Sequence, residues 1–155
     1  SGCIYDPIRK ELFYCEPGKG SFLNEKRIRV SGRDNIIKSL INFGSDEFPL
    51  DNIKKLKLSG SQIRISGCPA LDLAWVASGR IDAYLDKTDL SEYVAGIILV
   101  KEAGGFCTDY SMGEKILEKK EICAGNPSIH NNVIKILKKN QWKYKLHLIP
   151  DTFEK

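Results

Sequence analysis

The segment Asp6-Pro7-Ile8 contains a carboxylate, the kind of ligand that a hard cation such as Mg²⁺ prefers. A magnesium site needs several carboxylates that converge on the ion, but this one is followed directly by the cations Arg9 and Lys10. Turn-forming residues between two apolar runs favour a hairpin, in which Asp6-Pro7 ends one strand and Glu11 begins the next. The sequence therefore predicts a hairpin at this position rather than a metal site.

A second segment with chemical potential is Gly67-Cys68-Pro69-Ala70, where a glycine precedes a predicted helix. The free N–H groups and the positive dipole end of a helix start can bind an anion. Pro69 removes one of these N–H donors, so a plain helix start with proline in its first turn stays open as the alternative. Three further polar residues are predicted as helix caps or surface pairs rather than catalysts: Asp72, Glu102 and Ser128.

The cysteines and histidines form no recognisable metal-binding or catalytic motif in the sequence. The five cysteines are odd in number and widely spaced, which favours reduced thiols packed as small apolar groups. With no Cys-x-x-Cys and only His130 and His147, a zinc site is not expected. Neither histidine neighbours a nucleophile motif, so no Ser-His-Asp or Cys-His arrangement is predicted.

Composition places the chain among soluble globular proteins, with 155 residues, 42% hydrophobic residues and a net charge of +4. No apolar run is long enough for a membrane helix and no secretion signal is seen, so the expected location is the cytoplasm, without membrane association. The chain opens at Ser1, which indicates processing or missing upstream sequence. Lysines concentrate in 53–58 and 134–146, but the modest overall charge argues against nucleic acid as a partner.

The pattern of apolar residues predicts a single α/β domain over 1–155. Residues 1–44 are predicted as a β-meander followed by a buried strand at 35–44, and 45–155 as alternating helices and strands. Helices are predicted at 49–59, 68–78, 92–103 and 127–140. Glycines after them and Asn126 before the last one supply the expected helix stops and cap.

Four segments together resemble the inositol monophosphatase family, in particular its bacterial extragenic-suppressor branch. These segments are IYDPIRKELFYCEPGKGSFLNEKRIRVS, GCPALDLAWVASGRIDAYLD, AGIILVKEAGGFCTDYS and ICAGNP, in the family's order and at close to its spacing. The resemblance covers nearly all of residues 2–138 but only the second part of the usual family chain. It implies a layered sheet-and-helix sugar-phosphatase-like fold, of which this chain is the C-terminal portion.

Members of that family are magnesium-dependent phosphatases of small phosphomonoesters. The resemblance implies a Mg²⁺ cofactor, yet the Glu-Glu pair and the Asp-Pro-Ile/Leu-Asp-Gly-Thr motif that hold most of the metal are absent from these 155 residues. The remaining family ligand, an Asp in a Trp-Asp pair, corresponds to Glu92, with Ser91 in place of the Trp. Asp89 lies three residues before Glu92, which is the spacing of a helix capping box, and we favour that interpretation of Glu92.

The same resemblance assigns substrate contacts to Gly67, Cys68, Pro69, Ala70 and Asp86. For Asp86, a role at the end of a strand stays open beside substrate binding. Two functions are thus expected: a sugar-phosphate phosphatase that is inactive without a complementing metal-bearing part, or a non-catalytic binding module, such as a partner of transcription machinery. Either way the chain should expose apolar surface that self-association, as in the family's dimer, or another partner covers.

Overall fold

A computed structural model of the chain describes residues 1–44, 48–87 and 93–139. The described residues form two sheets and five helices. The strands are β1 (Gly2–Asp6), β2 (Glu11–Glu16), β3 (Gly20–Leu23), β4 (Lys26–Ile28), β5 (Leu40–Phe43), β6 (Gln62–Ile65), β7 (Ala83–Lys87), β8 (Phe106–Thr108) and β9 (Glu121–Gly125). The helices are α1 (Leu50–Leu58), α2 (Pro69–Ala77), α3 (Val94–Glu102), α4 (Ile116–Lys119) and α5 (Pro127–Lys138).

The first sheet is an antiparallel meander in the order β1-β2-β3-β4. The predicted hairpin at its start is confirmed: β1 ends at Asp6, β2 begins at Glu11, and Asp6 pairs with Glu11. The Asp6 carboxylate accepts the backbone N–H groups of Ile8 at 2.9 Å and Arg9 at 3.0 Å, and it also pairs with the Arg9 side chain. These bonds hold the pKa of Asp6 below its usual value, foremost the one from the Arg9 backbone. Asp6 therefore stabilises the turn.

The second sheet has the order β6-β5-β7-β9-β8. Its strands β6, β5 and β7 run parallel, whereas β9 is antiparallel to β7 and β8. The carboxyl ends of the three parallel strands consequently meet at one edge of the sheet. In open α/β sheets such an edge is where ligands bind.

The helices and sheets stack in alternating layers. Helices α2 and α3 pack against each other between the two sheets, while α1 and α5 cover the other face of the five-stranded sheet. Gly96 permits the close approach of α3 to α2, because a Cβ at this position would lie 2.6 Å from Cβ of Leu73. The predicted α/β class, the layered fold and the N-terminal meander are confirmed.

Two local predictions differ from the structure. The strand predicted over 35–44 is shortened to Leu40–Phe43, because the residues before it form turns. The Asn35 side chain accepts the Ile37 N–H at 2.9 Å, and the Ser39 hydroxyl donates to the carbonyl of Ile36 at 2.7 Å. Side-chain bonds of this kind compete with a strand ladder. Helix α4 lies outside the four helices that the sequence predicts.

The predicted cap and glycine stop of two helices agree with the described residues. Asn126 caps α5 by accepting the Ile129 N–H at 2.9 Å, and Gly104 after α3 has a positive φ of 86°. Cys15, Cys107 and Cys123 are buried as free thiols, while Cys3 is exposed. Over 1–44, 48–87 and 93–139, no helix has the length and apolarity needed to cross a membrane.

Candidate functional site

The turn between β6 and α2 lies at the carboxyl edge of the parallel strands. Gly67 has a φ of 74°, a left-handed conformation that glycine adopts without strain, and no atom of residues 1–44, 48–87 or 93–139 would lie within 4 Å of a Cβ there. Pro69 begins α2, and no side chain caps this helix. The Cys68 N–H donates to the Ser66 hydroxyl at 3.1 Å. The turn is thus open to solvent on the side of Gly67, and the helix start behind it carries a positive dipole end.

A buried carboxyl lies beneath this turn. Asp72 has 0% exposure and accepts bonds from the Asn42 amide at 2.8 Å and the Ser66 hydroxyl at 2.7 Å. Burial raises the pKa of Asp72; the Ser66 and Asn42 bonds oppose the shift and the negative charge of Asp86 adds to it. The prediction that Asp72 is a cap or surface pair was wrong, because the α2 face that carries it turns into the core.

A second buried carboxyl, that of Asp86, lies at the end of β7. Its Oδ2 accepts from the Tyr84 hydroxyl at 2.9 Å and from the Tyr93 hydroxyl at the start of α3. Its Oδ1 accepts the N–H of Lys87 at 2.8 Å. Gly44 leaves room for this arrangement, since a Cβ there would lie 2.0 Å from the Asp86 carboxylate and 2.1 Å from the Tyr84 hydroxyl.

Strand register explains why these groups meet. Asn42 of β5 is paired with Tyr84 of β7, so both side chains point to the same face of the sheet, toward α2 and α3. Asp86 lies two residues after Tyr84 in β7 and therefore points to the same face, because side chains alternate along a strand. Burial raises the pKa of Tyr84, and the neighbouring charge of Asp86 raises it further, so the phenol stays a hydrogen-bond donor.

These carboxylates do not fit a magnesium ion in this arrangement. Both are fully buried, and the oxygens of each already accept bonds from protein donors, whereas Mg²⁺ needs carboxylate oxygens and several waters in octahedral geometry. Over 1–44, 48–87 and 93–139, no three His, Cys, Asp or Glu side chains are grouped so that they could hold a metal. Asp89, Ser91 and Glu92 lie outside the described residues, so the two interpretations of Glu92 stay predictions.

The structure brings the predicted substrate residues to one edge. Gly67, Cys68, Pro69 and Ala70 follow β6, and Asp86 is the penultimate residue of the parallel strand β7, two places across the sheet. Asp86 faces the two tyrosines in the interior, and its predicted contact with substrate hydroxyls stays a prediction. Apolar patterns and motifs did not indicate that Asn42, Tyr84 and Tyr93 belong to this cluster. An Asn within an apolar strand was the available signal for the first, because buried polar side chains need partners.

Glu102, another residue predicted as a cap or surface pair, connects two elements. Its carboxylate accepts the N–H groups of Gly18 and Gly20, both at 3.0 Å, and so ties the end of α3 to the turn between β2 and β3. It lies away from the carboxyl edge and takes no part in the candidate site.

Known proteins with similar sequences and a similar fold match most of this chain. The chain is 36% identical over 148 residues to an inositol-1-monophosphatase of Mesorhizobium japonicum, covering 90% of this chain and 55% of the relative. It is 39% identical over 137 residues to the Nus factor SuhB of Pseudomonas aeruginosa, covering 79% of this chain and 49% of that protein. The crystal structure of the extragenic suppressor protein suhB from Bartonella henselae superposes with a TM-score of 0.85 at 40% identity, covering 90% and 56% of the two chains.

The chain therefore spans about half the length of the curated relatives it matches. Residues 1–141 match the inositol monophosphatase family as a whole. On this match, which extends over most of the sequence, the chain belongs to the inositol monophosphatase family.

Proposed function

We propose that this chain forms the substrate side of a phosphatase that hydrolyses inositol monophosphate or a related small sugar phosphate. The observation that carries the proposal is the open turn at Gly67, which directs a helix start to the carboxyl edge of three parallel strands. Family membership supplies the reaction class. The phosphate would bind at the start of α2, where the first-turn N–H groups and the dipole favour negative charge.

The cluster beneath the turn supports this assignment. Asp72 lies in the first turn of α2, where an ionised carboxylate would repel a bound phosphate. Burial raises the pKa of Asp72 and so disfavours its ionised form, while the bonds from Ser66 and Asn42 oppose the shift. Ser66 connects the buried Asp72 to the turn at Gly67, since its hydroxyl donates to the Asp72 carboxylate and accepts the Cys68 N–H. Asp72 is therefore a positioning residue, which fixes the turn without touching substrate.

We propose no metal-binding role for the residues that the structure describes. In the family resemblance, Mg²⁺ supplies the activated water and stabilises the leaving oxygen. We propose that its ligands belong to polypeptide outside these 155 residues, that Glu92 adds at most one, and that the 155 residues alone are inactive.

The experiment is a phosphate-release assay with inositol monophosphate and Mg²⁺. The 155-residue chain alone should release no more phosphate than buffer, and coexpression with the unmatched N-terminal part of a relative should give activity. In that complex Gly67→Asp should lower kcat/KM by about tenfold, because it places an anion at the phosphate turn. The isosteric Gly67→Asn is the matched control and should keep most of the activity. Mg²⁺-dependent release by the chain alone, lost in Glu92→Ala, would contradict the proposal.

A second candidate function is a non-catalytic assembly module. The observation that favours it is that two relatives, 37% and 39% identical, carry the name Nus factor SuhB. We propose transcription machinery as the partner in that case. Calorimetric titration of the chain with Mg²⁺ in the presence of the complementing part separates the two functions, since only the phosphatase should give a heat of metal binding beyond that of the complementing part alone.

Both functions need a partner for one exposed surface. The outer sheet face comprises Cys3, Tyr5, Leu12, Tyr14 and Phe22, which share one side of the meander by their cross-strand pairing. Tyr5 is 56% exposed and Leu12 38% exposed, and the rings of Tyr14 and Phe22 stack with centroids 5.3 Å apart. Helix α3 packs against this sheet, on the opposite face, where the Ser21 hydroxyl donates to the Leu99 carbonyl. We propose that the complementing part, or a second copy, covers the outer sheet face.

A further inference from the structure

An open groove of about 440 Å³ lies between the C-terminal half of α5 and the segment that precedes β5. We name it the α5 groove. Helix α5 belongs to the outer layer of the fold, and none of the groove residues takes part in the strand-edge cluster described above. The residues that line the α5 groove are Ile36, Asn132, Lys135, Ile136, Lys138 and Lys139.

Hydrogen bonds fix both walls of the groove. The Ile36 carbonyl accepts from the Ser39 hydroxyl at 2.7 Å and from the Ser61 hydroxyl at 3.5 Å. The Asn132 amide on α5 donates to the carbonyl of Asp34 at 3.5 Å, so the segment before β5 is tied to the helix. The α5 groove is therefore a preformed feature of the surface, which lowers the entropic cost of binding.

The chemistry of the lining is an apolar floor with a basic rim. Ile36 and Ile136 are half-buried, whereas Lys135, Lys138 and Lys139 are exposed. The Lys138 ammonium donates to the Ser111 carbonyl at 3.4 Å, which holds its charge at the rim. No Asp or Glu among the described residues lines the α5 groove, and Lys135 and Lys139 form no ion pair with those residues.

We propose that the α5 groove binds an acidic amphipathic helix of another protein. An amphipathic helix places apolar residues at i, i+3, i+4 and i+7 into such a groove, and acidic residues beside them would meet the lysine rim. Charge of opposite sign steers association and selects the partner. The proposal is independent of the phosphatase function, because it uses no residue of the candidate site.

Two other occupants fit the observations less well. Single-stranded nucleic acid binds by stacking bases on aromatic side chains, and the described residues that line this groove include no aromatic side chain. The chain's own residues 140–155, which follow Lys139, carry three lysines against the two acidic residues Asp151 and Glu154, so they offer the lysine rim less negative charge than an acidic helix does. An acidic amphipathic helix matches both features, because its apolar residues fit the floor and its acidic residues face the lysine rim.

The test uses the full 155-residue chain and a fluorescein-labelled synthetic helix of about 16 residues, with Leu on one face and Glu elsewhere. Fluorescence anisotropy should show saturable binding that weakens with added salt. Lys135→Glu combined with Lys139→Glu should raise the Kd by about tenfold. The matched control is Lys26→Glu with Lys101→Glu, two exposed lysines outside the groove, which should change the Kd by less than about twofold.

Any one of the following results would overturn the proposal. One is the absence of saturable binding, and a second is equal weakening by the control pair. A third is undiminished binding of a peptide whose leucines are replaced by serine, or displacement of the peptide by oligo-dT at lower concentration, since either shows a simple polyanion surface. The fourth is binding that becomes about tenfold tighter in Trp142→Ser with Leu146→Ser, which would identify the chain's own C-terminal segment as the occupant.

Discussion

The hydroxyl of Tyr84 donates to the Asp86 carboxylate at 2.9 Å, although both residues belong to one strand. They lie on the same face of β7 because side chains alternate, and both are fully buried. Tyr93 donates to the same oxygen from the start of α3, so the carboxylate connects the sheet to the helix layer. The Asp86 carboxylate therefore holds the end of β7 next to the start of α3.

The first prediction concerns that link. Tyr93→Phe removes a hydrogen bond to a buried carboxylate and should lower the free energy of unfolding by about 1.5–3 kcal/mol. In a cycle with Asp86→Asn, the two effects should be non-additive, because the residues are in direct contact. Urea unfolding of the four proteins measures this. Tyr14→Phe, on the outer sheet face, is the control with little expected effect, and strict additivity of Tyr93 and Asp86 would contradict the link.

The second prediction concerns the space beside Asp86. Gly44→Ala should destabilise the fold by about 1–3 kcal/mol, because the added Cβ has to displace the Asp86 carboxylate and the Tyr84 hydroxyl. Gly32→Ala is a matched control, since a Cβ at Gly32 would meet no atom within 4 Å. Thermal unfolding compares the two variants. Equal melting temperatures would show that the packing around Gly44 is looser than described.

The third prediction concerns the pH dependence of stability. Burial raises the pKa of Asp72 in the folded state above its usual value of 3.8. The stability that follows from this shift is fully present below pH 3.8 and is lost as the pH rises through the raised folded value. Asp72→Asn removes this loss, so the variant should gain stability relative to the parent as the pH rises from 3.8 toward neutrality.

Urea unfolding at several pH values in this window tests the sign. The control is Asp51→Asn, an exposed aspartate in the first turn of α1, whose difference from the parent should stay nearly constant. A parent chain that gains stability relative to Asp72→Asn with rising pH would mean that Ser66 and Asn42 stabilise the ionised form more than burial disfavours it.

The fourth prediction concerns the outer sheet face. At micromolar concentration the 155-residue chain should self-associate or bind an apolar dye, because exposed apolar surface is buried by association. Tyr5→Ser with Leu12→Ser should reduce both signals. Leu58→Ser with Leu117→Ser is the matched control, since these leucines are 69% and 57% exposed but lie in α1 and α4. Sedimentation velocity reads the mass, and a monodisperse parent monomer without dye binding would count against the idea.

The sequence by itself determined much of the architecture. Short apolar runs separated by charged, glycine and proline residues predicted the meander, and Gly79, Gly104 and Asn126 marked helix ends correctly, because turn and cap geometry depends on a few neighbouring residues. The resemblance to the family also rested on local segments, and the match over residues 1–141 confirmed it. The strand predicted from Asn35 was too long because side-chain bonds within the turn compete locally with the ladder.

Only the tertiary structure decided how the site is built. Asp72, Asn42 and Asp86 are far apart along the chain, and strand register together with the packing of α2 brings them to one edge of the sheet. Periodicity does not specify which strands are neighbours, so Asp72 was assigned to the surface when its partners lie on β5 and in the turn after β6. Strand pairing and helix packing depend on contacts between residues distant in sequence, and these determine which polar side chains are buried together.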